Sequence, residues 1–386
     1  MKDSAQRMVS RLDLAHHWSL GRGRRSRLIG SLAAVKLLVD AEQFMPVIVG
    51  AFSRAKRQIL IEMYMIASDA TGMHVIDVLC DKARQGVKVW VVFDAIGSMH
   101  LSTADSKRLV EAGARLRIFN RLRLLRPFHS IFRTHRRIIV VDGEVGFVGG
   151  FGFSDEWTTP GYHDGPWHEL AWQVTGAPLR EMADIFSRNW QDLQPVKLPV
   201  QDVTGGCAYR IMNKASFGTT VLRRTIIRRI RRASKRIWIT TGYFVPGLLL
   251  RRAMMRAAQR GVDVRLMLTG PTDHQIVRYA GRRHYRPLLG AGVKIYETRS
   301  RMLHAKSAII DDDLAAVGSS NLDNWSLRYN KEFNLAVAST AACDELARAM
   351  TDIQQHSTEI TLDAWLRRPW TNRLLERLFG MADDLL

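Results

Sequence analysis

The segment from Leu303 to Asn321, LHAKSAIIDDDLAAVGSSN, decides the fold because the segment from Thr134 to Gly152, THRRIIVVDGEVGFVGGFG, repeats its pattern. In each segment a histidine is followed by a cation after two residues, an aspartate after seven and a glycine after fourteen. A cation holds phosphoryl oxygens, and a histidine attacks phosphorus or moves a proton near neutral pH. Two copies therefore predict two half-sites that face each other across one phosphodiester.

The candidate site residues occupy equivalent positions of the two segments. They are His135, Arg137, Asp142 and Gly149 in the first segment and His304, Lys306, Asp311, Gly318, Ser319, Ser320 and Asn321 in the second. Ser319 and Ser320 are candidates for binding phosphate through a hydroxyl or a backbone N–H. We expect Gly149 and Gly318 where the backbone must approach a ligand closely.

The local pattern around each histidine predicts a β-hairpin. The run from Ile138 to Val141 is apolar and β-branched, which favours a buried strand that ends in a turn at Asp142 and Gly143. The second segment repeats this pattern with Ile309 and Ile310. A single hairpin that contains a histidine could arise by chance. Two such hairpins, each inside a longer matching half, are not explained by chance.

The repeat extends beyond the hairpins. The stretch RQILIEMYMI from Arg57 matches RIWITTGYFV from Arg236, and GVKVWVVFD from Gly86 matches GVDVRLMLTG from Gly261. Each half has strands alternating with helices, which predicts an α/β fold of two α/β/α sandwich halves with mixed sheets. We expect a pseudo-twofold axis with the active site at the interface. The predicted division is a basic N-terminal extension (1–37), a first domain (38–200), a second domain (201–345) and a C-terminal helical segment (346–386).

These motifs resemble those of the phospholipase D superfamily, whose mark is HxKxxxxD followed by GxxN. Within it the chain is similar to bacterial cardiolipin synthases of the type without N-terminal membrane spans. The stretches IEMYMIASDATG, GYFVPGLLLRRAMMRAAQRGVDVRLMLTG and MLHAKSAIIDDDLAAVGSSNLDNWSLRYNKEFNL support this likeness. The resemblance covers roughly residues 38 to 340, which is most of the chain.

The resemblance implies transfer of a phosphatidyl group by two chemical steps. His135 attacks a phospholipid phosphodiester to give a phosphohistidine, and a protonated His304 first donates a proton to the departing alcohol and then acts as a base. Glu169 and Glu332 are implied to hydrogen-bond the imidazoles, with His168, His163 and Asp164 as alternatives to Glu169. The aspartates are expected to hold the turns and the cations. No cofactor and no metal are expected, because the cations supply the positive charge.

Two positions depart from the family pattern. Arg137 stands where the family usually has lysine, and Gly152 stands where it usually has asparagine. Arginine keeps the charge but is larger, and it does not lose its proton. Gly152 removes a side-chain donor to the phosphate. The site is therefore expected to be asymmetric.

Composition points to a polyanionic partner. The 386-residue chain has a formal net charge of +20, which suits an anionic lipid or a nucleic acid. No uncharged apolar stretch approaches the roughly 20 residues of a membrane span. We therefore expect a cytoplasmic protein that is peripheral on the inner face of the cell membrane. Its expected partners are phosphatidylglycerol, with phosphatidylethanolamine as a second candidate, and a membrane surface, with nucleic acid disfavoured for want of a recognisable module.

Three basic segments are candidates for contact with a membrane. Residues 121–134 mix arginines with large apolar residues, and a membrane-interface segment and a loop packed on the other half are both open. Residues 221–236 favour a core-facing helix with a basic outer side. The stretch from Leu362 onwards contains Trp365 and Trp370 between arginines, which leaves a docked helix and a membrane anchor as alternatives.

Three rival functions remain open at this point. A phospholipase D would use water as the acceptor in place of an alcohol. A nuclease would use the same motifs on nucleic acid, and the positive charge suits it. A non-catalytic membrane-binding protein would explain the departures at Arg137 and Gly152, although both histidines argue against it.

Overall fold

The computed structural model describes residues 32–121, 132–159, 165–190, 203, 206–214 and 221–380, and within them the chain forms two large mixed sheets. The first sheet is built from β1 (Ala33–Val39), β2 (Gln58–Met63), β3 (Lys88–Asp94), β4 (Arg115–Phe119), β5 (Ile138–Val141), β6 (Val145–Gly149) and β7 (Leu170–Gly176). Its helices are α1 (Asp40–Arg54), α2 (Ala70–Arg84), α3 (Thr103–Glu111), α4 (Asp155–Thr158) and α5 (Pro178–Trp190).

The second half repeats this arrangement and extends it. Its strands are β8 (Ala208–Lys214), β9 (Arg236–Thr241), β10 (Phe244–Val245), β11 (Asp263–Leu268), β12 (Lys294–Thr298), β13 (Ser307–Ile310), β14 (Leu314–Gly318), β15 (Leu322–Asp323), β16 (Glu332–Ala338) and β17 (Ser357–Ile360). Its helices are α6 (Val221–Arg232), α7 (Leu248–Gln259), α8 (Gln275–Arg282), α9 (Tyr285–Gly290), α10 (Asn324–Arg328), α11 (Thr340–Gln355), α12 (Leu362–Arg367) and α13 (Trp370–Phe379).

The two sheets share one strand order, which confirms the predicted α/β fold of two matching halves. The first runs β1-β7-β6-β5-β2-β3-β4, and the second runs β8-β16-β14-β13-β9-β11-β12 with β17 added at its edge. In each half the three strands of the alternating region are parallel to one another, and the motif hairpin joins them antiparallel. The hairpin therefore lies in the middle of its sheet, buried on both faces.

Helices separate and cover the sheets in layers. Apolar residues of α1, α2 and α3 pack on one face of the first sheet, and those of α6, α7 and α9 pack on one face of the second. The remaining faces of both sheets share a central core with α5 and α11. Burial of these faces is the main stabilising term, and it fixes the two motif hairpins relative to each other.

Some predicted boundaries differ from the structural elements. The first sheet begins at Ala33, inside the predicted N-terminal extension, because β1 pairs with β7 along its whole length. The predicted division after residue 345 runs through α11, and β17 beyond it pairs with β12 of the second sheet. The C-terminal segment therefore contributes a strand as well as helices. Residues 122–131 of the basic segment at 121–134 lie outside the described residues.

Candidate active site

The two motif histidines are held by the backbone of the opposite half. The His135 N–H donates to the Lys331 carbonyl at 2.9 Å, and the His304 N–H donates to the His168 carbonyl at 2.9 Å. Isolated parallel bridges join the same places, Thr134 with Lys331 and His168 with Leu303. This reciprocal exchange of equivalent contacts is what a pseudo-twofold axis produces, and it brings both motifs to the boundary between the halves.

Each imidazole bonds a carboxylate from the other half. His135 Nδ1 lies 3.0 Å from Glu332 Oε1, and His304 Nδ1 lies 2.7 Å from Glu169 Oε2. Both carboxylates are fully buried. A carboxylate that accepts from Nδ1–H leaves the lone pair of the neutral ring on Nε2. Both rings are thus fixed in the tautomer that a nucleophile or a base requires.

The two histidines are strongly biased towards the neutral form when no substrate is bound. Burial is the main cause that places the pKa of His135 and His304 well below the ordinary value of 6.5, and the charges of Arg137 and Lys306 add to it. The same effects disfavour the proton that His304 is expected to carry, because Arg137 and Lys306 already place positive charge beside this buried ring.

Glu169 supplies an alternative place for that proton. Burial raises the pKa of Glu169 to about 7, although Lys306 and Arg137 oppose the shift. A neutral imidazole beside a protonated carboxyl holds as many protons as an imidazolium beside a carboxylate. The His304–Glu169 pair therefore stores one transferable proton near neutral pH.

The two motif cations occupy equivalent positions and bond equivalent atoms. Arg137 donates from Nη1 to the His135 carbonyl at 2.7 Å and from Nε to the Phe151 carbonyl at 3.2 Å. Lys306 donates from Nζ to the His304 carbonyl. Both side chains are almost completely buried. Burial lowers the pKa of Lys306 to about 7, so an arriving phosphate anion would favour its charged form.

The serines and the asparagine of the second motif belong to its buried hydrogen-bond network. The Ser319 hydroxyl donates to Glu332, which stabilises the negative charge of that carboxylate. The Ser320 hydroxyl accepts from the Asn334 amide at 2.7 Å. Asn321 is buried, and its side-chain oxygen accepts from the Tyr243 N–H at 3.4 Å. Ser319 thus acts on the carboxylate rather than standing free for a phosphate.

Gly149 and Gly318 are required by the sheet rather than by a ligand. A Cβ at Gly318 would lie 2.5 Å from the Phe333 carbonyl oxygen, and one at Gly149 would lie 2.9 Å from the Leu170 carbonyl oxygen. Phe333 and Leu170 belong to the neighbouring strands β16 and β7. The expected close approach is real, but the approaching backbone is that of the next strand.

The motif aspartates anchor the hairpin turns. Asp142 has a φ of 53° and accepts from the backbone N–H groups of three consecutive residues at 2.7–2.8 Å (Lys56, Arg57 and Gln58). Asp311 has a φ of 56° and accepts from Ser234 at 3.0 Å and Lys235 at 2.8 Å. Both tie the hairpin to the start of the neighbouring strand. These contacts agree with the predicted role of the aspartates in holding the turns. Both carboxylates bond backbone N–H groups rather than the motif cations.

The departure at Gly152 has a structural cause. A Cβ at Gly152 would lie 2.7 Å from the Trp157 ring, which occupies the space that an asparagine side chain needs. Trp157 is fully buried, and its ring lies edge-on to His304 with centroids 5.4 Å apart. An indole therefore takes the place of the amide in the first half, and it shields His304 from water.

Several site residues were missed in the sequence. Gly150 is one, because a Cβ there would lie 2.6 Å from Glu169 Oε2. The rings of Tyr64 and His135 meet edge-on at 4.8 Å, and those of Tyr243 and His304 at 6.5 Å. The matching of Tyr64 with Tyr243 in the repeat was a usable signal for both tyrosines. Gly150 sits where the second motif has Ser319, and no local pattern marks its role.

An apolar cavity of about 70 Å³ opens beside Lys306. It lies between α6 and the second sheet, and its lining includes Ala308 and Ala316. The equivalent positions of the first half, 169 residues earlier, are Ile139 and Phe147, which are fully buried. The second half has therefore replaced two large core side chains by methyl groups, next to the cation that the motif uses.

The other predicted site components have simple positions. His168 bonds Asp40 at 2.9 Å and does not take the place of Glu169, while His163 and Asp164 lie outside the described residues. Within the described part of the chain no group of three or more metal-ligating side chains comes together. No helix in that part is long and apolar enough to cross a membrane.

Comparison with known proteins identifies the family. The family model described as "Cardiolipin synthase, PLD-like domain" matches residues 48–190 and 226–353, one range in each half. The chain is 33% identical to the cardiolipin synthase of Geobacillus kaustophilus over 91% of this chain and 72% of that one. It is 32% identical to a probable cardiolipin synthase of Bacillus subtilis over 91% and 73%, and 32% identical to cardiolipin synthase A of Pseudomonas putida over 85% and 70%. The chain belongs to this family, which confirms the resemblance inferred from its motifs.

Solved structures support the fold at low sequence identity. Phosphatidylserine synthase of Haemophilus influenzae superposes with a TM-score of 0.70 at 13% identity, over 92% of this chain and 97% of that one. Polyphosphate kinase of Porphyromonas gingivalis superposes with a TM-score of 0.60 at 12% identity, over 91% of this chain and 53% of that one. At such identities these likenesses establish the architecture of two paired halves and nothing about the substrate.

Proposed function

We propose that this protein is a phosphatidyltransferase that joins two molecules of phosphatidylglycerol into cardiolipin and releases glycerol. The observation that carries the proposal is the pair of buried imidazole–carboxylate couples, His135–Glu332 and His304–Glu169, built reciprocally from the two halves. Such a pair provides one group to attack phosphorus and one to handle the proton of the alcohol. The names of the relatives point to the same product.

The reaction proceeds in two displacements at phosphorus. In the first, Nε2 of His135 forms a bond to phosphorus, the bond to the glycerol oxygen breaks, and His304 gives that oxygen a proton. In the second, a hydroxyl of another phosphatidylglycerol attacks phosphorus, His304 takes its proton, and the bond to His135 breaks. Atoms balance as two phosphatidylglycerols giving one cardiolipin and one glycerol. The catalyst ends with the protons it began with.

The asymmetry of the two couples supports His135 as the nucleophile. The Ser319 hydroxyl stabilises the charge of Glu332, so that carboxylate is held as a fixed acceptor for His135. Glu169 has a pKa of about 7 and stores the proton that His304 must deliver. A nucleophile needs a fixed, neutral ring, and an acid needs a proton in supply. The His135–Glu332 couple has the first property, and the His304–Glu169 couple has the second.

Charge stabilisation comes from the buried cations. Arg137 and Lys306 face a site shielded from water, where a cation acts strongly on the oxyanions of a five-coordinate phosphorus. Asn321 is the proposed side-chain amide contact from the second motif. The proposed contributions of Asp142 and Asp311 are indirect, through the turns that hold these cations in place.

A lipid fits the site better than a nucleic acid. The cavity beside Lys306 has an apolar lining from α6, β13 and β14, and a hydrocarbon segment gains free energy there by leaving water. Nucleic-acid grooves combine positive charge with exposed aromatic platforms for the bases. The net charge of +20 serves equally well to attract anionic phospholipid headgroups. We propose a membrane surface as the working location, with the inner face of the cell membrane as the predicted side.

Product analysis tests the proposal directly. Phosphatidylglycerol vesicles, with and without phosphatidylethanolamine, are incubated with the protein and analysed by mass spectrometry. We expect cardiolipin and glycerol in equal amounts, and a phosphatidyl–protein adduct that is lost in His135→Ala. Each of His135→Ala and His304→Ala should lower the rate by more than about a thousandfold.

Other products would overturn the assignment. Phosphatidic acid in place of cardiolipin would make the protein a phospholipase D with water as acceptor. Cleavage of single- or double-stranded DNA at a comparable rate would make it a nuclease. Near wild-type turnover by either histidine variant would contradict a shared site. Arg84→Ala is a suitable control variant, because Arg84 is exposed and pairs with Asp81 on its own helix.

A further inference from the structure

The last helix of the described chain, α13, carries apolar side chains on two opposite faces. Its inner face packs on α8, where the rings of Phe379 and Tyr279 stack with centroids 6.1 Å apart. Its outer face presents Trp370, Leu374 and Leu378, which are 72%, 56% and 55% exposed. Residues four apart lie on one side of a helix. The outer face is therefore an apolar stripe turned to solvent.

Helix α12, which ends just before α13, adds two exposed apolar side chains. Leu366 is 44% exposed and Leu362 is 37% exposed. Of the eleven large apolar side chains that are exposed in the described residues, five fall in this short stretch. Single exposed apolar residues are ordinary, whereas a contiguous set is not. The three outer side chains of α13, Trp370, Leu374 and Leu378, form what we call the C-terminal stripe.

Positive charge borders the C-terminal stripe. Arg373 and Arg377 precede Leu374 and Leu378 by one residue each, which places them on the edge of the same outer face. Both arginines are exposed. The two acidic residues within α12 and α13 are engaged, since Glu376 is buried against Arg368 and Asp363 pairs with Arg367. A surface of this kind is complementary to a hydrocarbon layer beneath anionic headgroups.

The C-terminal stripe is connected to the catalytic centre through few contacts. Helix α13 rests on α8, and the Arg283 side chain just after α8 donates to the Gly380 carbonyl. Just before α8, Asp273 accepts from the Tyr243 hydroxyl at 2.8 Å. The Tyr243 ring in turn lies beside the His304 ring. Helix α8 thus supports the helix that bears the stripe, and the residue Asp273 just before α8 touches the rim of the site.

We infer that the outer face of α13 docks on an anionic lipid bilayer and holds the site next to its lipid substrate. The inference rests on the proposed function, because a lipid-using enzyme needs its substrate delivered from a bilayer. Trp370, Leu374 and Leu378 enter the boundary between headgroups and acyl chains, and Arg373 and Arg377 contact lipid phosphates. A bilayer suits the combination of apolar stripe, flanking arginines and net charge of +20.

Vesicle binding of the full chain tests the inference. The stripe variant is Trp370→Gln, Leu374→Gln and Leu378→Gln together, and the probe is a vesicle of phosphatidylglycerol in phosphatidylcholine. The matched control changes three other exposed apolar residues of the first half, as Met73→Gln, Met99→Gln and Val110→Gln. We expect the stripe variant to bind at least about tenfold more weakly, and the control to bind like wild type. A charge variant, Arg373→Gln with Arg377→Gln, should lose most of the preference for anionic over neutral vesicles.

Turnover separates docking from chemistry. The stripe variant should be slow on vesicles and close to wild type on phosphatidylglycerol dispersed in detergent, since its catalytic residues are unchanged. Wild-type vesicle binding by a folded stripe variant would overturn the inference, with circular dichroism as the check on folding. So would a wild-type dimer in sedimentation that the stripe variant abolishes, since a second copy would then cover the surface. Failure of wild type to form cardiolipin in either lipid form, with vesicle binding intact, would instead count against the proposed function alone.

Discussion

At the scale of single residues, the site depends on carboxylates that cross between the halves. His135 uses Glu332 and His304 uses Glu169, although each histidine is closer along the chain to the other glutamate. The motif spacing predicted both histidines and both cations, and the resemblance to the family implied both glutamates. The crossing was not predicted, because distance along a chain does not say which half supplies a contact at a shared interface.

The protonation of this site predicts an asymmetric pH profile. Above pH about 7 the Glu169–His304 pair loses its stored proton and Lys306 loses its charge, because both pKa values lie near 7. We therefore expect kcat/KM to fall as the pH rises through about 7. His135 stays neutral well below pH 6.5, so the acidic limb should lie below that value.

Rates measured between pH 5 and 9 check this profile. A bound phosphodiester adds negative charge beside Lys306 and His304, which favours their protonated forms. The alkaline limb of kcat should then lie at higher pH than that of kcat/KM. Glu169→Gln removes the group that stores the proton and should displace the limb. A profile that stays level to pH 9 would contradict the storage of a proton on this pair.

The arginine of the first motif should be replaceable by lysine but not by alanine. In the second half Lys306 makes with its single ammonium the carbonyl bond that Arg137 makes with Nη1. Arg137→Lys should therefore keep its rate within about tenfold of wild type. Arg137→Ala should lose more than about a hundredfold, or roughly 2.7 kcal/mol of transition-state stabilisation. If the alanine variant stays within about threefold on phosphatidylglycerol vesicles, Lys306 and Asn321 hold the phosphate without help from the first half.

Restoring a side chain at Gly152 should harm the protein. The Trp157 ring already fills the space, so Gly152→Ala forces an overlap in a closely packed core. We expect a loss of about 1–3 kcal/mol of unfolding free energy and a lower rate, because Trp157 also borders His304. Gly290→Ala is the matched control, since a Cβ there meets no atom within 4 Å. Equal stability of the two variants in urea would show that Trp157 moves aside freely.

At the scale of elements, the hairpins are held from their turns. Asp142 accepts three backbone N–H bonds and Asp311 accepts two, and Asp142 is the more buried of the two. Asp142→Asn should lose about 1–3 kcal/mol of unfolding free energy, more than Asp311→Asn. Urea unfolding measures the difference. Activity should stay within about tenfold in both variants, and a complete loss from a stably folded variant would assign the aspartates to the chemistry itself.

Periodicity accounts for the regular elements and fails at the ends. Apolar β-branched runs predicted β2, β5, β9 and β13. Central strands are buried on both faces, and their sequences are therefore continuously apolar. The edge strand β17 was not predicted. Its sequence, Ser357–Ile360, alternates weakly, and what makes it a strand is the open edge of β12 beside it. An edge of this kind is a property of the folded sheet and has no local signature.

At the scale of the whole molecule, the two halves carry the same topology but divide the work unequally. The first half fills its core with Ile139 and Phe147 and places Trp157 beside His304. The second half keeps Asn321 and opens a cavity at Ala308 and Ala316. Sequence comparison of the halves contained these differences position by position. Their consequence, a site with an aromatic ring on one side and an apolar cavity on the other, follows only when the halves are superposed.

The two buried motif cations predict that turnover continues without a divalent metal. Arg137 and Lys306 already bring positive charge to the buried site, and within the described residues no cluster of metal-ligating side chains lies near it or elsewhere. These side chains can stabilise the negative charge on the phosphoryl oxygens, and a chelator cannot remove them. Protein treated with EDTA and dialysed should therefore form cardiolipin from phosphatidylglycerol micelles at close to its untreated rate. Micelles are preferred to vesicles because divalent ions also bind anionic bilayers, and modest stimulation there would report on the lipid. A strict dependence, abolished by EDTA and restored by a low concentration of one divalent ion, would mean that the phosphate is held by a metal and that the two cations serve another purpose.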